Sequence, residues 1–380
     1  MATQGPAKPA TQKQAGPAPI AFRTGVQSHD EINFDETRTM QTSTVDLPTL
    51  NIPPAGFLRG LFLLMECTTA GNSANVAYQQ DGPFSAIDTI TLEDVNSAPI
   101  LGPLGGWDLY VINKLGGYDH SSDPKQSPTY TAVTSTGATG GSFSFVLRVP
   151  VELVDRDALG PLPNKSGTSM FKVRTRMAPS TAVYSTAPTT LGSVRTRIVQ
   201  VSWWDPDATD LRGRPIAQVP PAMGTTQYWS KVPYVVAAGA FRQPMERVGY
   251  AIRNLIVVLR DSANSRAQGE TDFPDPLALQ VDANVLNNKV GKVWQHEIAV
   301  DYGYTGTAEA ANGPVNGTRV LTFCKDFGLK PGAESRRGYL ETSSATRLEF
   351  YGTIGGTGQH TLTVLTNDVA PMGSYDQITA

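Results

Sequence analysis

The side chains able to do acid–base, nucleophilic or metal chemistry are few and dispersed. Four histidines, His29, His120, His296 and His360, stand in four different segments. His296-Glu297 begins like a zinc-protease motif but has no second histidine at helical spacing, so His296 reads as a strand residue beside Trp294. Glycoside hydrolysis needs two carboxyl groups converging across a cleft. Glu93 with Asp94, and Asp272 with Asp275, are adjacent loop acids with nothing to place them so. Asp205, Asp207 and Asp210 offer oxygen ligands for calcium but lack the spacing of a calcium-binding hand, and read as solvated linker charges. Gly352–Gly358 is glycine-rich like a phosphate loop, yet it lacks the Lys-Ser/Thr ending and a following helix, which predicts a turn between strands. No Gly-x-Ser-x-Gly elbow occurs. Cys67 and Cys324 have no short-spaced Cys or His companion, which excludes a compact zinc site; both read as buried strand thiols. Asn164-Lys165-Ser166 and Asn316-Gly317-Thr318 match the glycosylation triplet, but no secretory signal precedes them. The expectation is a chain with no catalytic residue, cofactor or metal site.

What the charged residues offer instead is surface. Lys172, Arg174 and Arg176 alternate along one strand face, and Arg195 and Arg197 could extend that strip. Two roles fit it: protection of a sheet edge against unwanted pairing, and contact with an acidic surface of a neighbouring subunit. Residues 1–29 hold Lys8, Lys13 and Arg23, no acid, and several prolines. This reads as a flexible cationic arm, either a plain tail or a segment that orders on lipid headgroups. The net charge of −3 argues against a body that grips nucleic acid, which needs a basic surplus.

Positioning these groups falls to short strands. The 380 residues are 40% hydrophobic and carry 36 glycines and 28 prolines, scattered and aperiodic. That punctuation predicts an all-β sandwich or barrel class, and the length suits two domains. Apolar or alternating runs occur at Thr37–Leu47, Phe57–Thr69, Ile87–Leu92, Trp107–Asn113, Phe143–Val149, Phe171–Arg176 and Arg195–Trp203. They resume at Thr226–Val236, Tyr250–Arg260, Leu277–Ala283, Val293–Val300, Thr318–Phe323, Thr346–Ile354 and His360–Leu365. Val151–Leu159 has the composition of a short acidic helix, and Ile87–Leu92 alternates with Asp88, Ile90 and Leu92 on one face. Asp119–Ser142 and Asn264–Asp275 are polar loops suited to towers or clamps. The proline-rich stretch 205–224 divides the chain into an arm (1–32), a first unit (33–204), the linker, a second unit (225–370) and a tail (371–380). No apolar run is long enough to span a bilayer, so the expectation is a soluble protein made in a reducing cytoplasm.

The halves echo each other. Leu58-Arg59-Gly60-Leu61-Phe62 and Ile252-Arg253-Asn254-Leu255-Ile256 share one pattern at an offset of 194. Trp107 and Trp294 follow at 187, Val173 and Leu348 at 175, Ile198 and Leu362 at 164. A steadily falling offset is what duplication followed by loop trimming leaves behind. Seven or eight strands per unit suit a jelly roll, two antiparallel sheets face to face.

At these residues the chain resembles the double jelly-roll major capsid proteins of tectiviruses, phages whose icosahedral shell encloses a membrane. The resemblance is carried, in order, by Gly56–Leu61, Asp81-Gly82-Pro83, Ile87–Ile90, Gly106–Asn113, Phe145–Val151 and Phe171–Val173. It departs where prolines crowd the first twenty positions, where some members have a helix. It implies two tandem eight-stranded jelly rolls with short helices in loops, a homotrimer forming a pseudo-hexagonal tile, and no catalytic residues. It further implies penton and minor capsid partners, a viral inner membrane near the arm, and a virion location after assembly in the host cytoplasm. The competing readings are a carbohydrate-binding or hydrolysing β-sandwich, a spike or penton component, and a mixed α/β shell protein with a long backbone helix.

Overall fold

The computed structural model describes residues 18–70, 74–116, 118, 123–153, 158–221, 223, 225–246, 250–267, 272–302, 316–323 and 338–370. After a single-turn helix α1 (Phe22–Gly25), the first half runs β1 (Ser28–Thr39), β2 (Val45–Asp46), β3 (Leu50–Asn51), β4 (Phe57–Thr68), β5 (Ala77–Tyr78), β6 (Ile87–Glu93) and β7 (Pro99–Leu104). Helix α2 (Gly106–Leu115) comes next, then β8 (Thr131–Ala132), β9 (Phe143–Pro150), β10 (Leu162–Pro163), β11 (Lys172–Met177), the short α3 (Ser180–Val183), β12 (Tyr184–Thr186) and β13 (Ser193–Trp203). The second half comprises β14 (Thr226–Pro244), β15 (Ala251–Arg260), β16 (Leu277–Val281), β17 (Asn284–Lys289), α4 (Gly291–Tyr302), β18 (Thr318–Thr322), β19 (Leu340–Glu341) and β20 (Leu348–Ala370).

Pairing makes each half the same object. In the first half one sheet is ordered β1-β13-β4-β9, and the facing one runs from β2 and β3 through β11 and β6 to β7. In the second half β14 and β20 are long, bent strands that serve both sheets. Their outer segments pair from Thr226↔Ala370 to Ala237↔Gln359, and beyond Gly239 they pair again from Gly239↔Ile354 to Pro244↔Glu349. One sheet is then β14-β20-β15-β18 and the other β14-β20-β16-β17. Counting eight strands per half, both give the order first, eighth, third, sixth opposite second, seventh, fourth, fifth. This is a jelly roll, and it occurs twice.

The cores follow from alternation. Leu61, Leu63, Met65 and Cys67 of β4 face Phe143, Phe145, Leu147 and Val149 of β9 and the buried Ile90, Leu92, Val173 and Met177 of the opposite sheet. A second core gathers Leu255, Val257, Leu259, Leu277, Leu279, Trp294, Phe350, Leu362 and Val364. Gly56 turns the chain into β4 at φ +62°, where a Cβ would lie 2.1 Å from the Trp203 carbonyl oxygen; only glycine fits there.

Several expectations need correction. Trp107–Asn113 is helix, not strand: every residue of α2 is buried, Asp108, Asn113 and Lys114 included, and a segment buried on all sides shows no clear period to separate helix from strand. Val293–Val300 is likewise helical, so His296 is an exposed helix residue. Here a signal existed, because buried Gly291, Trp294, Ile298 and Tyr302 fall at spacings of three and four. A register shift between Arg176 and Met177 skips Asp88, turning it outward while Ile87, Ile90 and Leu92 stay buried. β1 begins at Ser28, so 28–32, assigned to the arm, belong to the first sheet. Strands β7 and β17 carry no clear strand pattern in the sequence, one because it holds Pro99, Gly102 and Pro103 and the other because Asn284, Asn287, Asn288 and Lys289 outnumber Val285 and Leu286. Register sets Ile198 opposite Leu63 and Val364 opposite Val257, so the fourth echo is Ile198 with Val364, two residues on. The acidic segment 154–157 and Cys324 lie outside the described residues.

Candidate functional site

Among the described residues none of the sequence's chemical candidates assemble into a catalytic centre, and most of the carboxylates are engaged locally. Glu93 pairs with Arg174 at 2.9 Å. Asp94 accepts the backbone N–H groups of Asn96 and Ala98 in its own turn. Asp275 accepts the N–H of Gly291 at the start of α4. Asp205 pairs with Lys165. Asp210 binds the N–H groups of Arg212 and Arg214 and the Arg214 guanidinium, and these bonds, led by the Arg214 N–H, hold its carboxyl below the usual range. Among the described residues no three His, Cys, Asp or Glu side chains converge as a metal site. Asn164 and Asn316 are both buried. Cys67 is buried on β4 beside the Tyr184 hydroxyl, and burial pushes its thiol up to about 11.

The basic strip divides. Lys172, Arg174 and Arg176 lie outward on β11, and the two arginines reach Glu93 and Asp88 of neighbouring β6, while Lys172 reaches Ser97 at 3.4 Å. Arg195 and Arg197 do not extend it. They belong to β13 in the opposite sheet and pair with Asp35 and Glu66; alternation aligned the five cations in sequence, but the sandwich separates them. Lys8 and Lys13 lie outside the described residues. Arg23 lies against the first roll, its guanidinium 4.4 Å from the Trp203 ring centroid. Arg59 stands 3.8 Å from the same ring, and buried Glu152 accepts both Arg59 Nε and Trp203 Nε1 at 2.9 Å.

The most elaborate polar construction is the seam between the rolls. β7 of the first roll joins β14 of the second in parallel, through Leu101↔Trp229, so one sheet runs through both. Helix α2 is gripped at both ends. Asp108 in its first turn accepts Gly105 N–H at 2.9 Å and the Lys231 ammonium. At its C-terminus, where carbonyls lack helical partners, Asn254 donates to Leu115 O at 3.0 Å and Arg253 to Gly116 O at 3.1 Å. Tyr118 donates to Gln227 at 2.8 Å and accepts Trp229 Nε1 at 3.0 Å; Gln227 in turn donates to Val151 O and Glu152 O. Farther along, Asp81 accepts Arg260 at 2.6 Å and Arg266 at 2.9 Å. Both guanidiniums lie within 5.0 Å of the Trp107 ring centroid, a cation–π arrangement that desolvation strengthens. Burial pulls Arg266 below its ordinary pKa while Asp81 opposes the shift. The loop expected to form a tower or clamp at Asn264–Asp275 thus buries Arg266, Ala267 and Phe273. Loops cannot be assigned this way from sequence, because the partners lie about 185 residues away.

Comparison with known proteins places this geometry. No protein-family model matches the sequence, and none of the curated proteins does. Solved structures do match. The STIV MCP is 15% identical, with a TM-score of 0.60 over 93% of this chain and 99% of its own. A chain from the atomic structure of Sulfolobus Turreted Icosahedral Virus is 16% identical, with a TM-score of 0.61 over 92% of both chains. The Faustovirus major capsid protein is 10% identical, with a TM-score of 0.55 over 95% of this chain and 92% of its own. The chain has the fold of these proteins, the double jelly roll.

Proposed function

We propose that this chain is the major capsid protein of an icosahedral virus, a non-enzymatic tile repeated to build the shell. The observation that carries the reading is the pair of identically ordered jelly rolls locked by a buried seam, in a fold shared over more than nine-tenths of each chain with the STIV and Faustovirus capsid proteins. A shell needs many copies of one rigid part, and antiparallel sandwiches supply rigidity while their turns vary to meet neighbours. Two rolls per chain and three chains give six similar modules, hence a homotrimeric, pseudo-hexagonal capsomer. Residues 205–224 link its two rolls. The Lys172, Arg174 and Arg176 strip meets acids of adjoining trimers, trading its present surface pairings at little cost. The end bearing Arg23 and the preceding cationic arm faces an internal membrane, and penton and minor capsid proteins complete the particle after assembly in the host cytoplasm.

Sedimentation and negative-stain imaging of the purified protein test this. Compact pseudo-hexagonal trimers at micromolar concentration are expected. A stable monomer, or hydrolysis of glycans by the purified chain, would overturn it.

A further inference from the structure

We propose that the root of the N-terminal arm is a strap that sets how firmly the second roll is held to the first. This goes beyond the capsid reading and does not depend on it. Withdrawn, the strap frees the linker between the rolls and the corner at Glu152 on which the second roll rests.

The strap is short and is anchored by one side chain. Phe22 is 1% exposed and stands edge-on to Phe57 at 5.5 Å between ring centroids, in a small cluster of its own with Ala158 and Trp203. Arg23 adds its guanidinium to the Trp203 ring. Just before α1, Ile20 donates its N–H to Pro215 O at 2.8 Å and accepts the Ala217 N–H at 2.9 Å. Gly25 lies against Ile216, where a Cβ would come within 2.3 Å of Cγ2. The arm root thus ties the linker down on the first roll.

Glu152 carries the strap's reach to the seam. Its wholly buried carboxylate accepts Trp203 Nε1 and Arg59 Nε, each at 2.9 Å. Its backbone carbonyl accepts Gln227 Nε2 of β14 at 3.0 Å, beside a second bond from that amide to Val151 O at 2.9 Å. Gln227 Oε1 is committed as well, to Tyr118 at 2.8 Å and Asn367 at 3.0 Å. One residue therefore holds the arm cluster with its side chain and the second roll with its main chain. When Phe22 leaves, Trp203 loses apolar cover and the indole re-seats. A buried carboxylate that loses a donor bears an uncompensated charge, and it relieves this by turning toward water. The carbonyl moves with it, and the Gln227 bonds weaken. The Asp81 cluster, farther along the seam, shares no residue with this path and is the internal reference. The input is any contact that draws the cationic arm outward; the output is freedom of the rolls at the linker end.

Hydrogen exchange of the full-length protein, read by mass spectrometry, tests this. In Phe22→Ala, exchange within 226–232 is expected to rise about tenfold, and within 258–267 to keep the wild-type rate. Coupling between two sites is reciprocal, so Gln227→Met is expected to speed exchange within 20–27 by a similar factor. A folded Phe22→Ala protein with wild-type exchange within 226–232 overturns the inference, and so does a folded Gln227→Met protein with wild-type exchange within 20–27. Equal acceleration within 226–232 and 258–267 also overturns it, because that is loosening of the whole chain. Should either variant misfold, Arg23→Ala, which removes an exposed side chain, carries the same comparison. Loss of a surface cation–π contact predicts a rise of about threefold within 226–232, and no rise overturns the proposal.

Discussion

Replacing Asp81 by asparagine removes one charge from the seam and leaves two arginines facing it. Arg266 is wholly buried and Arg260 nearly so, and Asp81 accepts from both at 2.9 and 2.6 Å. Removing one partner of a buried ion pair costs about 3–5 kcal/mol, because the remaining charge stays desolvated. Asparagine keeps one carbonyl acceptor, which restores roughly 1 kcal/mol. The net loss is about 3 kcal/mol. At about 2–4 °C per kcal/mol for units of 150–250 residues, the melting temperature falls by roughly 6–12 °C. Thermal unfolding followed by circular dichroism measures this, with Arg195→Ala as reference. Arg195 pairs with Asp35, and both side chains are exposed, where such bridges contribute little. Arg260→Met in the Asp81→Asn background should cost less than in the wild type, since the groups share one network. An Asp81→Asn protein that melts within about 1 °C of wild type would refute the claim that this cluster holds the rolls together.

Gly56→Ala places a methyl group against the Trp203 carbonyl at a positive φ; a loss of roughly 3 kcal/mol is expected in the urea midpoint, and a neutral result would mean the turn is not held as described. In a Cys324→Ser variant, the Cys67 thiol, raised to about 11 by burial, should react with a disulfide reagent at pH 8 at least about a hundredfold more slowly folded than unfolded; equal rates would contradict its burial. Asp282 accepts the hydroxyl and N–H of Thr346 and the N–H of Arg347, bonds led by the Thr346 hydroxyl that hold its carboxyl below the usual range. A depressed folded value stabilises the protein above the unfolded pKa of about 3.9 and is lost as pH falls through the folded value. Asp282→Asn should therefore be less stable than wild type at neutral pH, and the gap should narrow below about pH 4. A gap independent of pH would show that the charge is not what matters.

The strand runs, their alternation and the repeated Leu-Arg-Gly and Ile-Arg-Asn landmarks are local properties. They made the sandwich class, the two units and the outward set of Lys172, Arg174 and Arg176 legible before any coordinates. Burial on every side erases periodicity, which hid α2 at Trp107. A bulge at Asp88 and the breakers in β7 defeated a strict count of two. Which cations share a face was settled by the sandwich, since Arg195 and Lys172 alternate alike yet occupy opposite sheets. The seam was beyond any local signal. Asp81 meets Arg266, 185 residues away, only after long loops have closed, and the cost of closing them is indifferent to what the ends contain.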